Sequence, residues 1–498
     1  MRAKHFLCQP RNAMLAMLGS LLMTTVPAQA QDQPAPFRWG AASAAYQVEG
    51  AINADNRGRS IWDEYLDDKS LAGPGMSGAT AINFYDRTQY LKDIALMKKL
   101  GLTSYRFSIS WPRIIPDGVG PVNPAAVAHY RQFITDLKAA GIKPMLTLYH
   151  WDMPLSLARA GGWDNRASVD WFRHYAEVVF DNFHDQVDLY VLVNEPLVEH
   201  AMKLLAEQRM AGKPGQFAIV PASPDLPGAL RTFNHLLLAS AAAKQSFDAR
   251  GYKGQLGLAL PLFPTLTAPG ASAADRDSAT LADGIMNRWF LDAMYKGRYP
   301  ADVLSAAQAV GGDMDIRADD AATIGKARFD YLGINYYAPL FIRRPSQASG
   351  AGYAAESFLP EGTYAAYNGP VRPDQFRALL NRIRTDYGNP PVYITENGAG
   401  FPDDDKKVKG GVPDVQRCKY LVEHIDAMHA AMKDGADVRG YHVWSSHDNL
   451  EWLFGYGSRF GIIHVDFNTQ ARTPKLSALV YSDIIKGKPV TTADCHAQ

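Results

Sequence analysis

Two glutamates that end similar apolar stretches are the first indication of chemistry in this sequence. Glu195 follows the run LYVLVN, and Glu396 follows the run PVYIT. Runs of β-branched and aromatic residues predict buried strands, so a carboxylate at the last position projects from the rim of a sheet. Glycoside cleavage requires two such carboxylates, one as general acid and base and one as nucleophile. For either glutamate considered alone, the alternative to a catalytic role is a solvent-exposed side chain at the end of a strand.

Further polar side chains follow predicted strands in the same way. Because the carboxyl ends of parallel barrel strands meet at one face, we expect these residues to share a pocket. Their types suit a sugar, which presents hydroxyl groups around its edge and a C–H-rich face that packs on an aromatic ring. Each residue alone is more simply interpreted as part of the core or of a loop. The candidate hydroxyl partners are Gln47, His150, Asn194, Glu451 and Trp452, the aromatic candidates are Trp444 and Phe460, and Asn335 and Tyr337 end or follow the sixth strand.

A repeated order of strand and helix positions these residues. The strands are nearly continuous apolar runs, and the segments between them carry apolar residues at helical spacing. This pattern predicts an α/β fold, a single (β/α)8 TIM barrel with elaborated βα loops. An open doubly wound sheet is the main alternative, but no glycine-rich phosphate loop follows the first strand. The predicted strands span 37–43, 104–110, 143–149, 189–194, 255–260, 330–335, 391–396 and 440–444.

The first 30 residues differ from the rest. Basic residues precede an apolar run over 13–26, and Ala28-Gln29-Ala30 forms a small-x-small cleavage site. This pattern predicts a signal peptide over 1–30, and an uncleaved membrane anchor is the alternative, although the run is too short to span a membrane. We therefore expect one catalytic domain over 31–498, exported to the periplasm or the medium.

The composition and charge of the chain limit the kinds of molecule that it is expected to bind. The chain has 498 residues, of which 47% are hydrophobic and 20% charged, as in ordinary soluble globular proteins. Without the predicted signal peptide it carries 48 Lys and Arg against 51 Asp and Glu. This balance favours neither nucleic acid nor an anionic membrane. We expect a small β-glycoside as the partner, and the oligomeric state stays open.

Cysteines and acidic residues give no sign of a cofactor. Cys418 falls on the apolar stripe of a predicted helix and is interpreted as a packed thiol, and a bridge to Cys495 is the less expected alternative. The run 403–405 is acidic and could hold a cation, but Lys406 and Lys407 follow it, which favours a solvated loop of mixed charge. No metal and no cofactor is expected, and a metal-dependent barrel hydrolase is the rival hypothesis.

Several ordered motifs make the chain resemble glycoside hydrolase family 1, the retaining β-glycosidases of clan A. The resemblance covers about 37–485. Its motifs are AAYQVEG at 44–50, SIWD at 60–63, YRFSISWPRI at 105–114, LYHWDMP at 148–154, NEP at 194–196, GINYY at 333–337, YITENG at 393–398, and WS, DNLEW and RFG between 444 and 461.

The resemblance implies a role for each matching residue. Glu195 would be the acid and base, and Glu396 the nucleophile, with the two carboxyl groups about 5–5.5 Å apart, as in retaining enzymes. Arg106 and Tyr337 would support Glu396, and Asn194 would contact the 2-hydroxyl of the sugar. The remaining substrate contacts would come from Gln47, His150, Trp151, Asn335, Trp444, Glu451, Trp452 and Phe460.

Departures from the family pattern concern the leaving group and the type of sugar. Leu192 replaces the usual Thr inside its strand, the segment 199–215 lacks the usual pattern, and the usual Gly-Trp is replaced near 368–370. The last two regions are expected to border the aglycone entrance.

The implied activity is that of an exported β-glucosidase. A β-galactosidase, a β-fucosidase or a transglycosidase remains an alternative, and an inactive carbohydrate-binding relative is a further one. Glu451-Trp452 argues against 6-phosphorylated glycosides, and Glu195 against the thioglucosidase type.

Overall fold

Eight parallel strands close into a barrel in the computed structural model, with helices around it. This confirms the predicted TIM barrel. The structure describes residues 36–72, 76–213, 218–346, 354–402, 405–408 and 411–496, so the predicted signal peptide lies outside the described residues. From Phe37 onward the described chain forms one compact unit. The barrel strands β1 to β8 are Arg38–Ala42, Ser104–Ser108, Lys143–Tyr149, Leu189–Asn194, Gln255–Pro261, Tyr331–Asn335, Val392–Asn397 and Val438–Trp444.

The barrel closes between its first and last strands. Arg38 pairs with Gly440, and the parallel register continues to Ala42 opposite Trp444. Almost every strand residue is buried, because side chains pack inward into the barrel and outward against the helices. Met145, Leu189, Val191, Ala259, Tyr331 and Tyr393 form one buried cluster of strand residues. Leu192, the departure inside β4, is fully buried in the larger cluster that strands and helices share.

Helices surround the barrel, and one of them shows how the sequence sets a helix N-terminus. Asn123 caps the N-terminus of one helix by accepting the Ala125 backbone N–H, and Pro124 occupies its first turn. In chain order, α1 to α16 are Ala45–Val48, Ile61–Asp67, Arg87–Leu100, Trp111–Ile114, Pro124–Ala139, Leu155–Arg159, Ser168–Phe183, Pro196–Met210, Leu226–Ala249, Ala273–Asp283, Trp289–Lys296, Ala301–Val310, Asp320–Lys326, Pro373–Asp386, Val415–Lys433 and Leu476–Ile485. A π-helical turn, Gly284–Arg288, joins α10 to α11.

The βα loops carry secondary structure of their own. After β6, Leu340–Arg343 pairs with Glu356–Phe358 and with Thr265–Leu266 in a three-stranded sheet. Short hairpins follow at Ala365–Ala366 with Gly369–Pro370 and at Ile463–Val465 with Arg472–Pro474. 3-10 turns lie at Gly162–Asp164, Ser223–Asp225 and Trp452–Phe454, and another lies in the C-terminal tail at Thr492–Asp494.

The prediction of a free thiol at Cys418 is wrong, because Cys418 forms a disulfide with Cys495, with their Cα atoms 5.6 Å apart. The tail folds back onto α15, and the bridge is buried with Val422 and Val480. Helical periodicity identified the buried face of α15 correctly. It could not identify the segment that covers this face, because Cys495 is 77 residues away.

A buried network of charges fixes the loops near the end of the chain. Arg417 contacts Asp414 at 2.7 Å and Asp405 at 2.9 Å, and Lys475 contacts Asp448 at 2.7 Å and also Asp405. The predicted solvated loop is therefore wrong for Asp405, the last residue of the acidic run. The first two residues of that run lie outside the described residues. No helix in the described part of the chain is long and apolar enough to cross a membrane.

Candidate active site

The two predicted catalytic glutamates both lie at the carboxyl end of the barrel. Glu396 is the fifth residue of β7 and pairs in register with Asn335 of β6. Glu195 follows β4 and caps α8, with a left-handed backbone at φ +47° that turns the chain from strand to helix. Both side chains are buried, at 6% exposure for Glu195 and 3% for Glu396.

Glu396 lies in a strongly polar environment. Arg106 Nη1 donates to one carboxylate oxygen at 2.6 Å, and the Tyr337 hydroxyl donates to the other at 2.7 Å. Arg106 is itself fixed by Thr147 at 3.1 Å and by Asn194 at 2.5 Å. Burial raises the pKa of Glu396, but the Arg106 charge and the Tyr337 hydroxyl oppose the rise.

Glu195 has a less polar environment than Glu396. Its one hydrogen-bonded side-chain partner in the described structure is Asn335, whose amide donates to Oε1 at 2.8 Å. Burial, followed by the negative charge of Glu396, raises the pKa of Glu195 well above its usual range. These unequal environments favour the proton on Glu195 and the negative charge on Glu396.

Groups that could bind sugar hydroxyls surround this pair. His150 Nε2 and the Asn194 amide are 3.0 Å apart, while His150 Nδ1 has no hydrogen-bond partner in the described structure. Burial lowers the pKa of His150 well below its usual value, so this ring is neutral. The Gln47 amide donates to Glu451 at 3.4 Å. Burial, followed by the charge of Glu396, raises the pKa of Glu451 to about 8, so at neutral pH it can donate as well as accept.

The structure brings all the predicted site residues together. A cavity of about 560 Å³ is lined by His150, Trp151, Glu195, Tyr337, Glu396, Trp444, Glu451, Trp452 and Phe460. The remaining predicted residues lie directly behind this wall and hydrogen-bond to it: Arg106 to Glu396, Asn335 to Glu195, Asn194 to His150 and Gln47 to Glu451. The individual roles of these residues stay predictions.

The sequence prediction missed the outer half of this cavity, which is apolar. Its residues come from the sheet and hairpin after β6, from helix α8 and the segment that follows it, and from the loops after β5 and β8. The departures from the family pattern at 199–215 and near 368–370, both expected to border the entrance, were the available signals, and each contributes residues to this lining. The additional lining residues include Val198, Met202, Ile219, Phe263, Leu340, Phe341, Phe358, Leu359, Tyr367 and Phe454.

Among the described residues, no group of three or more His, Cys, Asp or Glu side chains could hold a metal ion. The arrangement can protonate a leaving group from Glu195 and attack a carbon with the Glu396 carboxylate. Both groups face a cavity whose lining offers hydrogen-bonding side chains beside the two glutamates and apolar side chains farther out. This combination is the chemistry of glycoside cleavage.

The sequence pattern of glycosyl hydrolase family 1 matches residues 29–490. The chain belongs to glycosyl hydrolase family 1. The predicted resemblance is thereby confirmed, and with it the retaining glycosyl hydrolase class of this enzyme.

Curated relatives share this family over nearly their whole length. Beta-glucosidase A of Enterobacter agglomerans is 60% identical over 469 residues, which cover 94% of this chain and 98% of the relative. A 6-phospho-beta-galactosidase of Clostridium acetobutylicum is 33% identical, over 90% of this chain and 96% of that protein. Family 1 therefore includes relatives of this chain whose names give different sugars.

Solved structures agree with the fold of this family 1 chain. The beta-glucosidase of Thermotoga maritima in complex with glucoimidazole has a TM-score of 0.82 and 35% identity, covering 92% of this chain and 99% of that one. The family 1 beta-glucosidase of Exiguobacterium antarcticum also has a TM-score of 0.82, with 36% identity.

Proposed function

We propose that this protein is an exported retaining β-glucosidase. It removes terminal non-reducing β-D-glucosyl residues from aryl or alkyl glucosides or from short oligosaccharides. Relatives named beta-glucosidase support this sugar, most of all the relative that is 60% identical. β-Galactosides and β-fucosides are the second candidates, because amide and carboxyl groups such as those of Gln47 and Glu451 can bind either epimer of a hydroxyl.

The unequal environment of the two carboxyls is the observation that carries the proposal. Arg106 and Tyr337 both donate to Glu396, whereas Glu195 receives one neutral amide hydrogen bond. Two carboxyls whose environments separate their pKa values in this way divide into an acid and a nucleophile.

The reaction follows in two steps from this division. Glu396 attacks the anomeric carbon while Glu195 gives its proton to the leaving oxygen, so one C–O bond forms as the glycosidic bond breaks. Glu396 is then an uncharged ester, and the charge that raised the pKa of Glu195 is gone. Glu195 can now remove a proton from water, which attacks the same carbon and releases Glu396. The product keeps the β configuration.

The cavity lining supports an uncharged sugar. No Lys or Arg is among the described residues that line the cavity, so a 6-phosphate would have no cationic partner there. The apolar mouth supports an aryl or alkyl leaving group, because the rings of Phe341, Phe358 and Tyr367 offer packing surface but few hydrogen bonds.

Two observations support export. The first 30 residues have the pattern of a signal peptide. The Cys418–Cys495 disulfide is a feature of proteins that fold in oxidising compartments.

The stereochemistry of the first product tests the proposal. Protein that starts at Gln31 is given 4-nitrophenyl β-D-glucoside, and ¹H NMR follows the anomeric signals, with Glu396→Ala as the control. We expect β-glucose first, and none from the control. Initial α-glucose would refute the two-step mechanism. Faster release from the matched galactoside or fucoside would refute the assignment of glucose.

A further inference from the structure

A second cavity lies next to the active-site cavity and has a volume of about 240 Å³. Its walls come from α2, from the segments after β3, and from α8. Helix α8 contributes to both cavities, with Val198 and Met202 on the active-site side and Glu199 and His200 on the other. Glu199 and His200 belong to the segment 199–215, where the chain departs from its family pattern.

Buried polar atoms in this cavity lack partners. Glu199 is 7% exposed and His200 is 6% exposed. The Tyr149 hydroxyl donates to one oxygen of Glu199. In the described structure, the other Glu199 oxygen and both ring nitrogens of His200 have no hydrogen-bond partner. Buried polar atoms without partners cost free energy, and they are rare in folded proteins unless they serve a purpose.

The other walls of the cavity are aromatic, and its charged residues are already paired. Lys203 contacts Asp164 at 2.5 Å, and Arg159 contacts Glu64 at 2.5 Å, so each cation already has an anionic partner. The aromatic residues of the lining are Trp62, Tyr65, Trp151 and Trp163.

The protonation states also favour a neutral ligand. Burial raises the pKa of Glu199 to about 8 and lowers that of His200 to about 4. Both groups are therefore uncharged at neutral pH, and each can donate one hydrogen bond and accept another. Donor and acceptor pairs beside aromatic rings bind a compact polyhydroxylated ring, as in the active site itself.

We propose that this cavity is a second carbohydrate site, which binds one neutral monosaccharide ring through Glu199 and His200. The volume is below the usual range for drug-sized ligands, about 300–1,000 Å³, and suits a single sugar ring. D-Glucose is the monosaccharide that the protein would meet most directly. That choice of sugar rests on the proposed function, whereas the site itself does not.

The position of the cavity links its ligand to catalysis. Helix α8 begins directly after Glu195, and the Glu199 backbone N–H donates to the Glu195 carbonyl at 3.0 Å. Trp151 lines both cavities, and its indole N–H donates to the Asn194 carbonyl at 2.8 Å. A sugar in the second cavity therefore contacts both elements that position Glu195, and its binding changes the rate of glycoside cleavage.

Equilibrium dialysis with radiolabelled D-glucose tests the site without requiring turnover. Ala158 lines the cavity on α6, so Ala158→Phe fills it, whereas Ala160→Phe makes the same change two residues away, outside the cavity lining. We expect the unmodified chain and Ala160→Phe to bind one more glucose per chain than Ala158→Phe. Equal numbers in all three proteins would overturn the proposal, provided that Ala158→Phe keeps the circular dichroism spectrum of the parent.

A second variant keeps the test decisive if Ala158→Phe does not fold. His200→Phe preserves the ring and removes both nitrogens, and we expect it to weaken glucose binding at this site about tenfold. Unchanged affinity at every site would overturn the proposal. In rate assays with an aryl glucoside, a plot of the inverse rate against glucose concentration should be curved for the unmodified chain, because glucose binds at two sites. For Ala158→Phe the same plot should be linear, because only the active site still binds glucose. If no glycoside is cleaved at all, the proposed function is wrong. The difference in glucose bound per chain between the unmodified chain and Ala158→Phe still shows whether the second site exists.

Discussion

The hydroxyl of Tyr337 offers a direct test of how Glu396 is kept ionised. This hydroxyl donates to the Glu396 carboxylate at 2.7 Å in a buried site. A hydrogen bond to the charged form lowers the pKa of a carboxyl, so its loss in Tyr337→Phe raises the pKa of Glu396. A hydrogen bond to a charged group contributes about 1.5–3 kcal/mol, and one pKa unit corresponds to about 1.4 kcal/mol. We therefore expect a rise of about 1–2 pH units.

The assay is the pH profile of kcat/KM on an aryl β-glucoside. The acid limb of this profile reports the nucleophile of the free enzyme, so in Tyr337→Phe it should move to higher pH. The variant therefore loses more activity at low pH than at neutral pH. The alkaline limb, which reports the acid Glu195, should move much less.

Tyr336 provides a matched control one position away. Its hydroxyl donates to the Arg372 carbonyl at 2.8 Å, and its ring stacks on Phe376. Tyr336→Phe also removes a buried hydroxyl, and the hydrogen bond lost is of similar length. That hydrogen bond does not involve the nucleophile. An acid limb that stays in place in Tyr337→Phe, or moves equally in Tyr336→Phe, would refute the reasoning.

Three other expectations concern the disulfide, the buried charges and the cavity mouth. Removing the disulfide with Cys495→Ser should lower the unfolding temperature in calorimetry, since closing a loop of this length contributes about 4 kcal/mol. Lys475→Met leaves two largely buried carboxylates without this partner and should cost about 3–5 kcal/mol in chemical unfolding, unlike the exposed control Lys488→Met. Leu359→Asn, at 52% exposure in the mouth, should raise KM for an aryl glucoside about fivefold, whereas Leu479→Asn, at 54%, should not.

Each of these expectations has a contrary outcome. A reductant should lower the unfolding temperature of the parent but not that of Cys495→Ser. If it lowers both equally, the bridge does not account for the difference in stability. Equal unfolding free energies for Lys475→Met and Lys488→Met would show that the buried charges contribute little to stability. If Leu359→Asn raises KM for a disaccharide as much as for the aryl glucoside, the mouth does not select apolar leaving groups.

The residues at the base of the active site could be predicted from the sequence. The hydrophobic pattern identifies the strands, and the position of each glutamate at the end of a strand identifies where it lies in the barrel. A strand that ends in Asn194-Glu195 or in Thr395-Glu396 can place the glutamate only at the rim of a barrel. Ordered motifs then assigned Arg106 to one of these glutamates, and the observed 2.6 Å contact with Glu396 agrees with that assignment.

The parts that the sequence did not reveal depend on contacts between distant segments. Glu199 belongs to the segment 199–215, which was expected to border the aglycone entrance, yet its side chain is buried and accepts a hydrogen bond from Tyr149 at the end of β3. A carboxyl in a helix is ordinarily solvated, so no local pattern indicates such burial. The Cys418–Cys495 bridge was only the less expected alternative, and the apolar mouth was missed, for the same reason: each is formed by chain that folds back from elsewhere.

The pairing of β1 with β8 has a consequence for synthesis of the chain. Ala42 pairs with Trp444, and Gln47 hydrogen-bonds to Asn449 and Glu451, so the base of the active-site cavity is completed by residues about 400 positions apart. A nascent chain that lacks β8 has two open strand edges and an incomplete site, and open edges promote aggregation. Nearly the whole polypeptide must therefore leave the ribosome before any of it becomes an enzyme, and a truncation before Val438 should give no partial activity.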